Sequence, residues 1–451
     1  MSDLKKYDLS VFDCEYLDVR LEETMTSRIL FRNYILEDIS TENQKAFFIR
    51  VWNNGRWLYA SVAEEGRLEK VINDLIEQSR KYKDTEKKHY IPSKSLSQEL
   101  IFNERNKPDY IELVEKRDLL GSYQEIFRNR KEVASLDARY MDFYNVKSFA
   151  SSSGIYFKYD RVFYGMMFNF VLKDEDKIFI TKFSSGGVLY SDLFGKDKEI
   201  TGYLDEAVPF LYAGEVKKGI YPVVLDEIVS GVFAHESFGH KSEADFMTGD
   251  PEALKEWEIG KKVGSSILSI VDQGDILDSS GFTPFDDEGT KATKTYLIKN
   301  GILQGRLHSN DTARDFEEKP TGNSRAMNGE FEPIVRMTNT YIEAGQSSFE
   351  DLISDIKEGV FIKNINYGTG MSTFTIAPNM SYMIRDGRIA EPVRVSVATG
   401  NVFETLGLIV GLSDKVRMEV RLFGGCGKME QWPLPVGLGG PKVKVSKMQI
   451  A

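Results

Sequence analysis

Beyond residue 264 strand-like segments dominate, and glycine- and Asx-containing turns separate them at residues 281–289, 299–301, 321–323, 367–370 and 385–387. Residues 382–384 and 389–397 flank Arg385-Asp386-Gly387 in the manner of a hairpin. The second half is therefore predicted to be a largely antiparallel β-rich domain with inserted helices. The first half reads differently. Leu17, Val19 and Leu21 share one face of a strand over residues 16–22, further strands are expected at 29–31 and 47–52, and Asn53-Asn54-Gly55 turns the chain into a returning strand at 57–63. The period then changes, because Leu68, Val71, Ile72, Leu75 and Ile76 line one helix face within residues 66–83. Another helix is expected at 119–130, and strands rich in Tyr and Phe fill 138–180, including 154–159 and 162–172. With 451 residues the chain is long enough for two or three domains. Glycines between 185 and 221 mark a boundary, which gives a mixed α/β N-terminal domain over 1–200 and a β-rich domain over 201–451, an α+β arrangement.

A formal net charge of −11 disfavours a nucleic-acid partner that would be held through its phosphates. The lysines of the polar stretch 84–110, Lys87, Lys88, Lys94 and Lys107, lack interleaved aromatics and read as a solvated face. No run reaches the ~18 apolar residues of a membrane span, and the first residues lack the apolar core of a signal peptide. Two cysteines, Cys14 and Cys426, do not make a disulfide framework. A reducing, cytoplasmic setting is the expectation.

Four histidines occur in the chain, and two fall in His235-Glu236-Ser237-Phe238-Gly239-His240. The preceding residues Leu225, Ile228, Val229 and Val232 recur at helical spacing, with Pro222 suited to the first turn. Histidines four apart on a helix share a face, but an interval of five turns ~500° and leaves the rings ~140° apart. A wider turn of π type, or an end to the helix near Gly239, would bring them together, and Gly239 makes such a distortion inexpensive. Two imidazoles leave a catalytic zinc site one ligand short. Cys426, in Gly424-Gly425-Cys426-Gly427-Lys428, is one candidate for the third, with Lys428 favouring its thiolate; Glu243 and Asp245 compete for that role, or act as carboxylates that orient a histidine. His89 and His308 read as structural or solvent-facing.

The same cluster, followed by Lys241-Ser242-Glu243-Ala244-Asp245-Phe246, resembles the TldD/PmbA metallopeptidase family in its metal-binding, TldD-like form. Asp286-Asp287-Glu288-Gly289-Thr290, Leu297-Ile298-Lys299-Asn300-Gly301, Thr321-Gly322-Asn323-Ser324-Arg325, Arg336-Met337-Thr338-Asn339-Thr340 and Cys426-Gly427-Lys428 extend the resemblance over residues 220–430 in matching order. It implies one zinc ion per chain held by His235, His240 and Cys426, with Glu236 as general base. It also implies hydrolysis of peptide bonds in short or unfolded peptides, and a dimer formed with a second copy or with a metal-free relative. Ser324-Arg325-Ala326 and Met429-Glu430-Gln431 depart from the usual family pattern around an intact ligand set, which bears on substrate preference.

In this reading Glu236 accepts a proton from the attacking water and passes it to the departing amine. Arg336 is a candidate electrophile or clamp for a peptide carboxylate, set against an arginine that ties the strand before Asn339 to an acidic turn. Asp287, within Asp286-Asp287-Glu288, is a candidate for binding a peptide amino terminus or a second cation, although a solvated acidic turn is the plainer reading. Asn339 and Lys428 are further candidates for contact with substrate or ligands. Gly368-Thr369-Gly370 and Gly437-Leu438-Gly439-Gly440 lack a phosphate-loop pattern and read as turns. Ser237 lacks the setting of a nucleophilic serine. A zinc amidohydrolase with a non-peptide substrate and a non-catalytic protein-interaction scaffold are the competing classes.

Overall fold

The computed structural model describes residues 3–83 and 96–451. Lys87, Lys88, Lys94 and His89 lie outside these. The N-terminal half is built on a seven-stranded sheet in the order β3-β2-β1-β5-β6-β4, with β7 also paired to β6. Its strands are β1 (Tyr16–Arg32), β2 (Ile35–Asn53), β3 (Arg56–Val62), β4 (Leu96–Leu100), β5 (Val133–Ser151), β6 (Ile155–Asp174) and β7 (Lys177–Gly187). The expected strands at 16–22 and 29–31 are one continuous β1, and those at 154–159 and 162–172 are one β6. Two-residue turns at Asn33-Tyr34 and Asn54-Gly55, all with positive φ, join β1 to β2 and β2 to β3. The helices are α1 (Leu68–Ser79) and α2 (Leu113–Arg128), together with α3 (Asp197–Ala207) in the glycine-broken stretch after β7.

Alternation along β1 decides what each face of this sheet meets. Leu17, Val19 and Leu21 point one way and pack with Phe47, Ile49 and Val51 beneath Leu68, Ile72 and Leu75 of α1. Asp18, Arg20 and Glu22 point the other way, where a one-sided sheet would leave them in water. They are buried, because the C-terminal half covers that face. The covered face carries a network in which Arg50 forks onto Asp18 at 2.7 Å and reaches Glu288 at 2.9 Å. Arg20 lies 3.4 Å from Asp287, and Lys147 pairs with both Asp287 and Glu22. The expected solvated turn at Asp286-Asp287-Glu288 is therefore corrected: it is sealed, and its carboxylates meet cations of the N-terminal half and backbone amides of their own.

The C-terminal half contains a ten-stranded and a six-stranded sheet, antiparallel in most pairings. Strand Gly219–Leu225 lies inside the larger one, between Val443–Ile450 and Glu358–Ile362. Pro222 and Leu225 thus belong to a strand and not to the first turn of a helix. The run Val223-Val224-Leu225 is completely buried, which favours extended β-branched packing, and the ladder shifts register opposite Pro222, where a missing donor is tolerated. Asp226 ends the strand and caps α4 (Glu227–Ala234) by accepting from Glu227 N. Among the described residues no helix is long and apolar enough to cross a membrane.

The buried network gives a direct test of how the two halves hold together. Removing one member of a buried ion set leaves its partners charged and unsolvated, so Arg50→Met should lower stability by about 3–5 kcal/mol. Urea unfolding followed by tryptophan fluorescence would measure the loss.

Candidate metal centre

Helix α4 runs toward the two histidines along a groove made by backbone. Gly231 faces Gly439 of strand Gly437–Gly440 so closely that a Cβ on Gly231 would strike the Gly439 main chain. On another side, strand Ile365–Gly370 passes over the end of the helix: a Cβ at Gly368 would sit 2.7 Å from Val232 Cγ1, and one at Gly370 2.6 Å from Glu236 O. The two glycine motifs read as turns are thus strands, corrected by the structure, and their missing side chains make room for this helix.

The ladder then widens. His235–Gly239 forms a π turn, after which His240–Ser242 tightens to 3₁₀. The imidazoles of His235 and His240 end with centroids 5.0 Å apart and planes at 75°. Gly239 itself is ordinary right-handed helix, at φ −57°. Its small size matters instead, since a Cβ there would collide with the Met337 thioether. The Ser237 hydroxyl donates to the Phe233 carbonyl within the helix, so it is not presented as a nucleophile.

Cys426 arrives from a short hairpin, Cys426–Lys428 paired with Gln431–Leu434. The donor atoms of His235, His240 and Cys426 all lie within 4.8 Å of one another, and His240 Nε2 is 3.5 Å from Cys426 Sγ. Zinc–nitrogen bonds of ~2.0–2.1 Å and a zinc–sulfur bond of ~2.3 Å in a tetrahedron put such donors ~3.5 Å apart, so the trio suits one ion. Buried His235 Nδ1 also has no hydrogen-bond partner among the described residues.

The surroundings prepare these donors. Glu243 is fully buried and places Oε2 3.4 Å from His240 Nδ1, which turns the other ring nitrogen toward the sulfur. Lys428 approaches Glu243 at 3.0 Å and donates to Asp245 at 2.6 Å and to Val335 O at 2.9 Å, so one ammonium is shared between those two acids. Burial pushes the Cys426 thiol up, but His235 and His240 outweigh that and hold it well below the ordinary thiol range. The cause expected from the sequence, Lys428, is replaced by the two rings. Burial pulls the His240 imidazole down, yet Cys426 and Glu243 hold it up at about 10. Burial raises Glu236 above the usual carboxylate range, with His235 and His240 opposing.

Glu236, His235 and Cys426 line a cavity of about 380 Å³ that also touches Tyr367 and Trp432. Four other predicted residues are placed elsewhere. Asp245 is tied to Lys428, and Asp287 belongs to the network between the halves. Asn339 is buried beside Gly437 and donates to Gln273 O. Arg336, also fully buried, donates to Cys426 O at 2.8 Å and to Gln431 O. Both expected roles, an electrophile or clamp and a tie to an acidic turn, are therefore corrected to a clasp that fixes the cysteine hairpin. Arg325, which carried no assigned role in the sequence, supports the same region through Met337 O and Pro435 O. His308 is structural, held between Thr312 and Glu318.

Residues 218–451 match the model of the PmbA/TldA metallopeptidase C-terminal domain, and residues 17–79 that of PmbA/TldA metallopeptidase domain 1. The chain is 34% identical to a metalloprotease of Synechocystis sp. over 96% of its own length and 93% of the relative's. It is 26% identical to a zinc metalloprotease TldD homolog of Saccharolobus solfataricus, with 96% of both chains covered. The solved structure of TldE from Thermococcus kodakarensis shares the fold at a TM-score of 0.76 and 17% identity, over 97% of both chains.

Two outcomes follow from this geometry. Gly231→Ala should press α4 away from Gly439, cost about 1–3 kcal/mol, and weaken metal uptake although every ligand remains, as titration with a chromophoric chelator would read. Because a cation must displace protons from the donors, affinity should fall as pH falls, on the order of tenfold per unit for each proton displaced; calorimetry in buffers of differing ionisation enthalpy would count the protons.

Proposed function

This chain belongs to the PmbA/TldA metallopeptidase family, and we propose that it hydrolyses short or unfolded peptides with one zinc ion held by His235, His240 and Cys426. The observation that carries this reading is the convergence of three donors within 4.8 Å, those of His235 and Cys426 buried and that of His240 partly so, beside the cavity that Glu236 lines. An N₂S donor set suits zinc, since thiolate and imidazole both bind it and three protein ligands leave a fourth position open. Zinc bound there supplies Lewis-acid polarisation of the scissile carbonyl and makes water more acidic.

The chain's own residues do the rest. Glu236 borders the cavity, close enough to His235, His240 and Cys426 for their charges to act on it. Its carboxylate takes the proton of a water as the water oxygen attacks the carbonyl carbon. It then delivers that proton to the amine nitrogen as the carbon–nitrogen bond breaks. A carboxylate whose proton affinity is raised by burial takes the proton from water more readily than one free in water, which suits the first half of the cycle. Glu243 holds His240, and Arg336 holds the Cys426 hairpin, so neither donor needs to reorganise during the reaction. The cavity volume favours an extended peptide segment over a folded protein.

The same reading extends to partners and place. A dimer with a second copy, or with a metal-free relative of the TldE kind, is the proposed assembly, and the cytoplasm the proposed compartment. A non-peptide amide substrate would use the same donors, and turnover alone separates the two.

Glu236→Gln should retain about one zinc per chain and lose peptide cleavage by roughly 10²–10⁴-fold. Elemental analysis beside a digest of an unstructured peptide would check both halves of that statement. Cys426→Ser should instead hold zinc more weakly.

A further inference from the structure

The cavity beside the trio contains two cations that the chemistry above does not use. Lys182, on β7, and Arg421, a few residues before the cysteine hairpin, both line it, and they also line two recesses that adjoin it. One comes from each half of the protein, so the wall is closed only when the halves are together. Lys182 is half-buried, and among the described residues no carboxylate forms an ion pair with it. Arg421 has Glu419 at 3.7 Å. Arg417 faces one of the recesses, again with no ion-pair partner among the described residues.

The acids of that recess are otherwise engaged. Asp226 and Glu227 are held by Lys442, and Glu206 holds the neighbouring Lys363. Among the described residues of that recess Glu419 is thus the acid left to Lys182, Arg417 and Arg421, while Glu236 shares the adjoining cavity with Lys182 and Arg421. Burial, and then the nearby Arg421, hold Lys182 below the ordinary range of an amine, against the pull of Glu419. Cations gathered in a partly desolvated wall repel one another until an anion meets them. Arg421 can take a carboxylate through its planar fork, while Lys182 adds a compact point charge.

From this arrangement we infer that Lys182 and Arg421 form a carboxylate-binding subsite that selects peptides presenting a carboxylate beside the bond to be cut. The inference rests on the peptidase reading of the trio and adds to it a substrate class. The carboxylate can be the carboxy terminus of the peptide, which gives trimming from that end, or an acidic side chain, which gives internal cutting beside Asp or Glu.

Binding of fluorescently labelled peptides to zinc-loaded Glu236→Gln protein, followed by anisotropy, separates these sources without turnover. One pair of peptides differs only in a free or amidated carboxy terminus, and a second, amidated pair differs only in Glu or Gln. At least one pair should show roughly tenfold tighter binding of the member with the carboxylate, and raised salt should reduce the difference. Lys182→Gln and Arg421→Gln should bring the ratio toward one, and Lys182→Arg should restore it. No discrimination in either pair, or discrimination that survives Lys182→Gln with Arg421→Gln combined, overturns the subsite. Peptide cleavage by the unmodified enzyme is scored separately. Carboxylate-dependent binding without any cleavage would overturn the hydrolytic reading and leave the subsite standing, whereas cleavage without discrimination would do the reverse.

Discussion

Helix α4 can present two histidines to one ion because its backbone lies against other backbone. A helix ordinarily stands off its neighbours by the thickness of side chains, at ~8–10 Å between axes. Here Gly231 meets Gly439, and Gly368 and Gly370 let a strand cross at the level of Val232 and Glu236. That strand and the cysteine hairpin border the same cavity, so the close approach brings its walls and the two rings to one place. The π turn at His235–Gly239 is held in the same packing, with Met337 against Gly239. The distortion that a five-residue interval requires is thus supported by contacts on several sides, which is how a locally unfavourable conformation persists.

The second constraint is charge. The β1 face that bears Asp18, Arg20 and Glu22 is polar, yet the C-terminal half rests on it. Burying that many ionised groups is unfavourable unless each meets its complement, and Arg50, Lys147, Asp287 and Glu288 supply the complements. Such a set specifies one docking of the halves, because moving Asp287 from Arg20 by two positions along β1 would set it against Asp18 or Glu22. The cavity gains from this, since Lys182 comes from one half and His235, Glu236 and Cys426 from the other. The order of these elements links an interface remote in sequence to the shape of the site.

Period and turn chemistry made much of the architecture legible in the sequence. Leu17, Val19 and Leu21 do share a face, Asn54-Gly55 does turn a hairpin, and the apolar stripe from Leu68 to Ile76 is a helix. The spacing of His235 and His240 required either a π turn or a helix end near Gly239, and the structure takes the first. What could not be read were properties that depend on partners distant along the chain. Pro222-Val223-Val224-Leu225 looks like the start of a helix until the strands on either side are known. Asp286-Asp287-Glu288 looks solvated until Arg20, Arg50 and Lys147 arrive. Arg336 could be a catalytic arginine or a tie to an acidic turn until its donors are seen on the carbonyls of the Cys426 hairpin. Lys182 and Arg421 sit in unexceptional strand-like sequence, and no local pattern distinguishes them.

The central claim is that His235, His240 and Cys426 share a single ion. Zinc-edge X-ray absorption of the protein loaded with one equivalent of zinc tests it most directly. The account predicts a first shell with one sulfur at ~2.3 Å and two imidazole nitrogens at ~2.0–2.1 Å, the sulfur vanishing in Cys426→Ser. A shell of oxygen and nitrogen alone, unchanged by that substitution, would contradict it.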